Sequence, residues 1–408
     1  MHGLFRTDEK DGGCQMDGSK TIALGGAIRA EWPLDWSKLT VNHGAYGATP
    51  KCVLAAQEMW RDRMEAQPSI FMRSILPDVL RTNAGALGSF LNADAQDIVF
   101  VDNATTGCNA VLRSLDFKPG DEIVLHGQIY GAVGKTARYV AGRTGASIVE
   151  VPLAFPGGDA AAFIEALGAR LNDRTRLVIV DHITSPSALV LPVEAAVRLC
   201  RDAGVPILID GAHGPGQIEV DLKAIDADWY VGNCHKWLAA PKGCAFLWSR
   251  RDRQVGLHPT TISHGFQQGY LSEFDWTGTR DATAFLAIET ALAFHEKLGG
   301  MALRRRNADL AHQAGRLLAD HFGTAYGNEA HPVAMAMVRL PFSGATSAER
   351  ALALRDRLLD EFRCDAPLIA HPDGIWVRVS AHAYNEIGDY ERLAGILDRL
   401  IRTDRAAD

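Results

Sequence analysis

The 408-residue sequence lacks most of the features that would declare a class at once. It has no apolar run long enough to cross a bilayer, so no membrane-spanning helix is expected. It has no excess of basic residues. Lys and Arg number 42 against 49 Asp and Glu, a formal net charge of −7, which points away from nucleic acid as a partner. The local run Arg304-Arg305-Arg306 reads as one solvated helix face. The cysteines, at 14, 52, 108, 200, 234, 244 and 364, are odd in number and form no Cys-x-x-Cys pair. That excludes a zinc ribbon and a disulfide framework, and fits a reducing, cytoplasmic setting. The 14 histidines include no His-x-x-x-His pair, so no metal centre is expected. There is no internal repeat and no low-complexity linker. The first thirty residues carry charges and glycines without a continuous apolar segment, and so read as a loosely held arm (1–30) rather than a signal peptide.

The remainder is an ordinary globular mix, 47% hydrophobic and 22% charged. From about 97 to 250 two textures alternate. Short β-branched runs (Asp97–Val101, Glu122–Leu125, Ser147–Val151, Leu177–Val180, Pro206–Ile209, Asp228–Asn233 and Cys244–Trp248) are separated by stretches of helical period such as Ala160–Leu171 and Val193–Ala203. Nearly unbroken apolar strands imply burial on both faces, and alternation with helices implies a mainly parallel sheet. Past Trp276 the texture changes. Ala282–Leu298 predicts one helix and Met301–Phe322 a second, followed by strands at Val333–Leu340 and Gly374–Ser380 and helices at Ser347–Phe362 and Gly388–Arg402. The expected architecture is a large α/β domain (31–300) followed by a smaller α+β domain (301–408).

Ligands of open α/β sheets sit beyond the carboxyl ends of the strands, so the residues that follow each strand carry the functional signal. Asp210-Gly-Ala-His213 follows one strand. A buried Asp there either pairs with a cation or caps a helix. Cys234-His235-Lys236-Trp237 follows the next. A lysine buried there either snorkels or is a desolvated, nucleophilic amine, and His235 beside it is open to a core role. Thr105 and Thr106 open a helix after a third strand, as an anion cradle or as ordinary caps. Tyr130 follows a fourth, placed to stack on a flat ring or to pack in a core or dimer contact. Each signal is weak alone. In order, they supply an anion grip, a stacking ring, a carboxylate and an amine.

With these segments, the sequence resembles the class V aminotransferase family of fold-type I enzymes dependent on pyridoxal 5'-phosphate, which includes cysteine desulfurases and kynureninase. Within it the likeness is to the isopenicillin N epimerase-like branch. The matching segments are Val41–Pro50, Asp102–Gly107, Tyr130–Val133, Asp181–Pro186, Asp210–His213, His235–Trp237, Trp276–Asp281, Trp376–Ser380 and Ala383–Asn385, spanning about 35–400 in family order. The resemblance implies that Lys236 is the Schiff-base lysine, Asp210 the partner of the pyridine nitrogen and His213 a neighbour of the phenolic oxygen. It implies Tyr130 as the stacking residue and Thr105, Thr106 and His235 as phosphate contacts. It also implies that Thr279 reaches a neighbouring subunit's phosphate in a homodimer, that Arg378 clamps a substrate carboxylate, and that Asn42 and His43 lie in a segment covering the site. Lys242, in Pro241-Lys-Gly, has a structural part in such relatives.

The resemblance implies an enzyme acting at the α-carbon of an amino-acid substrate, a small molecule, epimerase-like in the first instance. A β-eliminating carbon–sulfur lyase, a desulfurase-like enzyme and an aminotransferase are the alternatives. A desulfurase would need a mobile nucleophilic thiol. Cys364, before Arg378, is the candidate, and it reads instead as a small buried hydrophobe.

Overall fold

The computed structural model describes residues 23–405. Residues 1–22, most of the expected arm, lie outside them. Leu39–Thr40 forms the short strand β1. The principal sheet follows, built from β2 (Ile98–Val101), β3 (Glu122–His126), β4 (Ser147–Val151), β5 (Thr175–Asp181), β6 (Ile207–Asp210), β7 (Trp229–Asn233) and β8 (Ala245–Ser249). Their spatial order is β2-β8-β7-β6-β5-β3-β4. The four pairings β3·β4, β3·β5, β5·β6 and β6·β7 are parallel, while β8 runs antiparallel to both β7 and β2. Two reversals leave β2 pointing the same way as β7. The carboxyl ends of β2, β3, β5, β6 and β7 therefore share one edge.

The strands form because their runs are apolar on both sides. Every residue of β2, β3, β6, β7 and β8 is buried. One face packs with Phe100, Val124, Val178 and Ile209 and the other with Val99, Ile123, Leu177 and Leu208, each within its own apolar cluster. Residues 51–91 add two helices, Lys51–Ala66 and Leu76–Leu91, that cover the first of these faces.

The expected single helix at 282–298 is two, Thr283–Leu286 and Ile288–Lys297, broken at Ala287 (φ −93°, ψ 4°). The side chain of Asn83 supplies the break by accepting the Glu289 backbone N–H, so the second segment starts with a cap from another helix. Met301–Phe322 is one helix, closed by Gly323 in the left-handed conformation.

The second sheet, β11-β12-β9, comprises β9 (Met335–Arg339), β11 (Leu368–His371) and β12 (Gly374–Ser380), all antiparallel. It packs with the helices Met301–Phe322, Ala348–Phe362 and Ile387–Arg405 around Leu310, Leu354, Val377 and Leu397. Between β9 and β11 lies β10 (Cys364–Asp365), which pairs with β1. Residues 24–50 thus run along the C-terminal unit. Arg29 Nη2 donates to both carboxylate oxygens of Asp389, at 2.7 and 2.8 Å, and Trp32 donates its indole N–H to the Ala48 carbonyl. No helix among the described residues is long and apolar enough to cross a membrane.

Candidate active site

A cavity of about 660 Å³ opens at the shared carboxyl edge of the sheet. Its floor is made by the strand ends: Asp181 of β5, Asp210 of β6 and Asn233 of β7. Asp102, Asn103, Ala104 and Thr105 enter after β2, Tyr130 after β3, and His235, Lys236, Lys242 and Gly243 from the β7–β8 connection. Ala45 and Tyr46 complete the wall from the N-terminal segment. Gly47 lets that segment approach. Its φ is +70°, and a Cβ there would stand 1.9 Å from the His235 carbonyl oxygen.

Asp181 and Asp210 are register partners on adjacent strands, and both are buried. Burial and then the Asp181 carboxylate push the Asp210 carboxyl up to about 7. One Asp210 oxygen accepts the Ala212 N–H at 3.0 Å. The Asp181 Oδ1 has no hydrogen-bond partner although it is buried. His126 does not supply one. Its Nε2, 3.6 Å from that oxygen, accepts the Asp181 backbone N–H and so carries a lone pair. Two carboxyl groups with an unmet need for positive charge therefore line one end of the cavity.

Lys236 lines the same cavity. Burial and then the charge of Arg378 lower its amine to about 7, against the opposing pull of Asp210 and Asp181. Its Nζ lies 2.9 Å from His213 Nε2. Burial holds His213 well below the ordinary histidine value. His235 hydrogen-bonds through Nδ1 to the Cys244 carbonyl, which must accept, leaving a lone pair on Nε2. Burial also lowers its pKa to about 4, so it donates to an anion only when the anion's own charge protonates it.

The helix Ala104–Ser114 starts at the cavity wall. Asn103 caps it by accepting the Thr106 N–H, and the Asn233 side chain accepts the Ala104 N–H. The first turn of such a helix favours an anion. Tyr130 opens the helix Gly131–Thr144 and is 42% exposed, and burial of its phenol, then Asp210, raises its pKa.

Several expected residues stand off this cavity. Thr106 gives its hydroxyl to Asn103 and lines a smaller neighbouring pocket. Thr279 is exposed in the loop before Thr283, away from the cavity of its own chain. Asn42 is buried against Asp365 rather than covering the site, because β1 draws this segment onto β10. His43 lies beneath Lys236, with Nε2 3.0 Å from the Lys236 carbonyl oxygen and Nδ1 2.9 Å from the Tyr384 hydroxyl. Arg378 is buried behind the rim, where its Nη1 donates to the Ser185 carbonyl at 2.6 Å and hydroxyl at 3.1 Å. Its Nε has no partner, and burial, with Arg355 adding like charge, lowers its pKa to about 10. Cys364 is fully buried in β10, and burial pushes its thiol up to about 12. Asp181, Ser185 and Asn233 were given no role by the sequence, and Lys242, expected to be structural, lines the cavity. Asp181 and Asn233 each end an apolar strand run, the same signal that singled out Asp210, whereas Ser185 lies four residues past the end of its strand.

The sequence model described as Aminotransferase class-V matches residues 49–393. The chain belongs to this family. It is 34% identical to a probable chloroplastic L-cysteine desulfhydrase of Arabidopsis thaliana, over 89% of this chain and 82% of that protein. It is also 34% identical to the isopenicillin N epimerase of Amycolatopsis lactamdurans, over 91% and 97%. Among solved structures it resembles the cystine C–S lyase C-DES in complex with cysteine persulfide, with a TM-score of 0.75 and 24% identity over 89% of this chain and 97% of that one. The class V family is dependent on pyridoxal 5'-phosphate, and this is the chain's cofactor. The donor set fits it: a buried acidic pair for a protonated ring nitrogen, an amine for its aldehyde and a helix N-terminus for its phosphate.

Proposed function

We propose that this enzyme is a β-eliminating carbon–sulfur lyase acting on a cysteine-type amino acid. The observation that carries this reading is a cavity holding a buried, depressed-pKa lysine and, among the described residues, no cysteine. Sulfur then leaves as a free thiol or sulfide, not as an enzyme-bound persulfide. The likeness to several desulfhydrases supports it, at 31–34% identity.

In this reading Lys236 holds the cofactor covalently, Asp210 its ring nitrogen, His213 its phenolic oxygen, and Thr105 and His235 its phosphate, with Tyr130 over the ring. When bound, the cofactor accepts the electron pair left at the substrate α-carbon. Arg378 orients the substrate carboxylate through its guanidinium. The Lys236 amine, released by the incoming substrate amine, takes the α-proton. The carbon–sulfur bond then breaks with its electrons on sulfur. The Tyr130 phenol, kept protonated by its raised pKa, donates a proton to the departing thiolate. Addition of water leaves a 2-oxo acid and ammonia.

Epimerisation at the α-carbon is the second reading, favoured by one feature. Lys242 lines the same cavity, its amine lowered by burial, and offers a second base. We further propose a cytoplasmic homodimer in which Thr279 reaches the neighbouring subunit's phosphate, while Thr106 contacts the phosphate held by its own chain. Residues 31–300 form the cofactor-binding domain and 301–408 the small domain.

Incubation with cysteine, cysteine conjugates and isopenicillin N in heavy water tests the reaction. A 2-oxo acid with a released thiol or sulfide is the expected result. An intact skeleton with deuterium and inverted configuration at the α-carbon would replace the lyase by an epimerase. A 2-oxo acid with sulfur retained would mean transamination.

A further inference from the structure

We propose that Trp237 fixes the proton position on His213 and so holds Lys236 as a free amine, ready to attack the cofactor aldehyde. The inference rests on reading Lys236 as the attachment site.

The Trp237 indole Nε1 donates to His213 Nδ1 at 3.3 Å, and His213 Nε2 lies 2.9 Å from Lys236 Nζ. All three side chains are buried. An indole N–H can only donate, so His213 Nδ1 must present a lone pair. That excludes the doubly protonated ring and the tautomer with its proton on Nδ1. The remaining form is neutral, with the proton on Nε2, aimed at Lys236. Its acceptor must have a lone pair, and only the unprotonated amine has one. The opposite arrangement, an ammonium donating to Nε2, would need the proton on Nδ1 and would set N–H against N–H at Trp237.

The indole cannot readily turn away. It packs among Ile183, Ala188, Met335 and Trp376 and lies 5.3 Å from the His43 ring. His43 in turn holds the Lys236 carbonyl, so the backbone carrying the amine is anchored from the same side. The charged and titratable groups acting on this pair divide. Asp210 and Asp181, on β6 and β5, favour the ammonium, whereas Arg378 on β12 opposes it. Arg378 and His235, from the β7–β8 connection, act on His213 against its protonation. Burial lowers both Lys236 and His213, in the direction the donor geometry requires. Trp237 does not itself line the cavity and reaches Lys236 only through His213, and so acts as a positioning residue.

Nitrogen-15 histidine spectra of the cofactor-free protein read the tautomer directly. The wild type is expected to show His213 protonated at Nε2 alone. A proton on Nδ1 in the wild type would overturn the proposal without any variant. In W237F, which keeps an aromatic ring but removes the donor, the Nδ1–H form is expected to appear. Competitive acetylation of the same protein, followed by mass spectrometry across pH, reads the Lys236 amine. Its pKa is expected to rise from about 7 by about one unit in W237F, about fivefold less free amine at pH 7. An unchanged tautomer and amine pKa in a folded W237F would leave Trp237 as packing only. Borohydride reduction of the loaded wild type, then peptide mapping, separates the two failures. A label on Lys242 would overturn the attachment site and this role with it, whereas a label on Lys236 beside an Nδ1–H wild-type spectrum would overturn the Trp237 role alone.

Discussion

Replacing Arg378 with Met tests the substrate clamp most sharply, because the structure leaves this cation with an unmet demand. Among the described residues it has no carboxylate partner. Only Ser185 receives its hydrogen bonds, and Nε is buried without an acceptor. Its fall from the ordinary 12.5 to about 10 corresponds to about 3 kcal/mol held against the charged form. An incoming substrate carboxylate relieves that cost and adds charge-assisted hydrogen bonds. At about 1.4 kcal/mol per tenfold, removing the guanidinium should raise the substrate Kd or KM on the order of 100-fold. Stability should respond differently. The variant loses two hydrogen bonds to Ser185, of about 1 kcal/mol each, but also removes a buried unpaired cation. These nearly offset, so thermal unfolding should shift by no more than about 5 °C. Substrate titration on R378M, beside its melting curve, makes the check. A variant that binds amino-acid substrates like the wild type would remove the clamp. One that melts much earlier would make Arg378 a structural residue instead.

Lys236→Ala should abolish turnover and the absorbance of the covalently held cofactor, and a coloured, active variant would sink the attachment site. Covalent uptake of the cofactor by the cofactor-free enzyme should rise with pH and level off just above about 7, because the Lys236 amine is unprotonated above its lowered pKa. A rise continuing to the ordinary lysine range, followed by absorbance under stopped flow, would contradict the desolvated environment. Cys364→Ala should retain turnover within about twofold and cost on the order of 1 kcal/mol of stability, since the thiol is a packed small hydrophobe. Loss of turnover without loss of fold would restore a sulfur-transfer role. Asp210→Asn should weaken cofactor retention and leave the ring nitrogen without its anionic partner, read as a lowered turnover at full cofactor loading.

The principal sheet was legible because its strands are buried on both faces. Runs such as Ile123–Leu125 and Ile207–Ile209 have few other fates in a chain of this size. What the pattern could not carry was a boundary set by a distant side chain. Asn83, some two hundred positions earlier in sequence, decides where the helix before Lys297 begins. The site was half legible for a similar reason. Asp210 ends its strand and Lys236 lies three residues past the next one; Asp181 ends its strand equally, but its importance comes from standing opposite Asp210, a fact of strand order. Lys242 reads as part of a turn and joins the cavity only because the connection folds back across the sheet edge. His43 precedes Lys236 by nearly two hundred residues, and nothing local marks it as the support beneath that lysine.

The antiparallel strand β8 has a consequence beyond topology. Asn233 and Ala245 are register partners, so residues 234–244 form a tether knotted to the sheet at both ends. Both lysines of the site hang from this tether. Lengthening or shortening it would leave every strand in place while moving the amines relative to the floor beneath them. A lineage can thus shift which amine faces which side of a substrate by editing eleven residues, with the scaffold untouched.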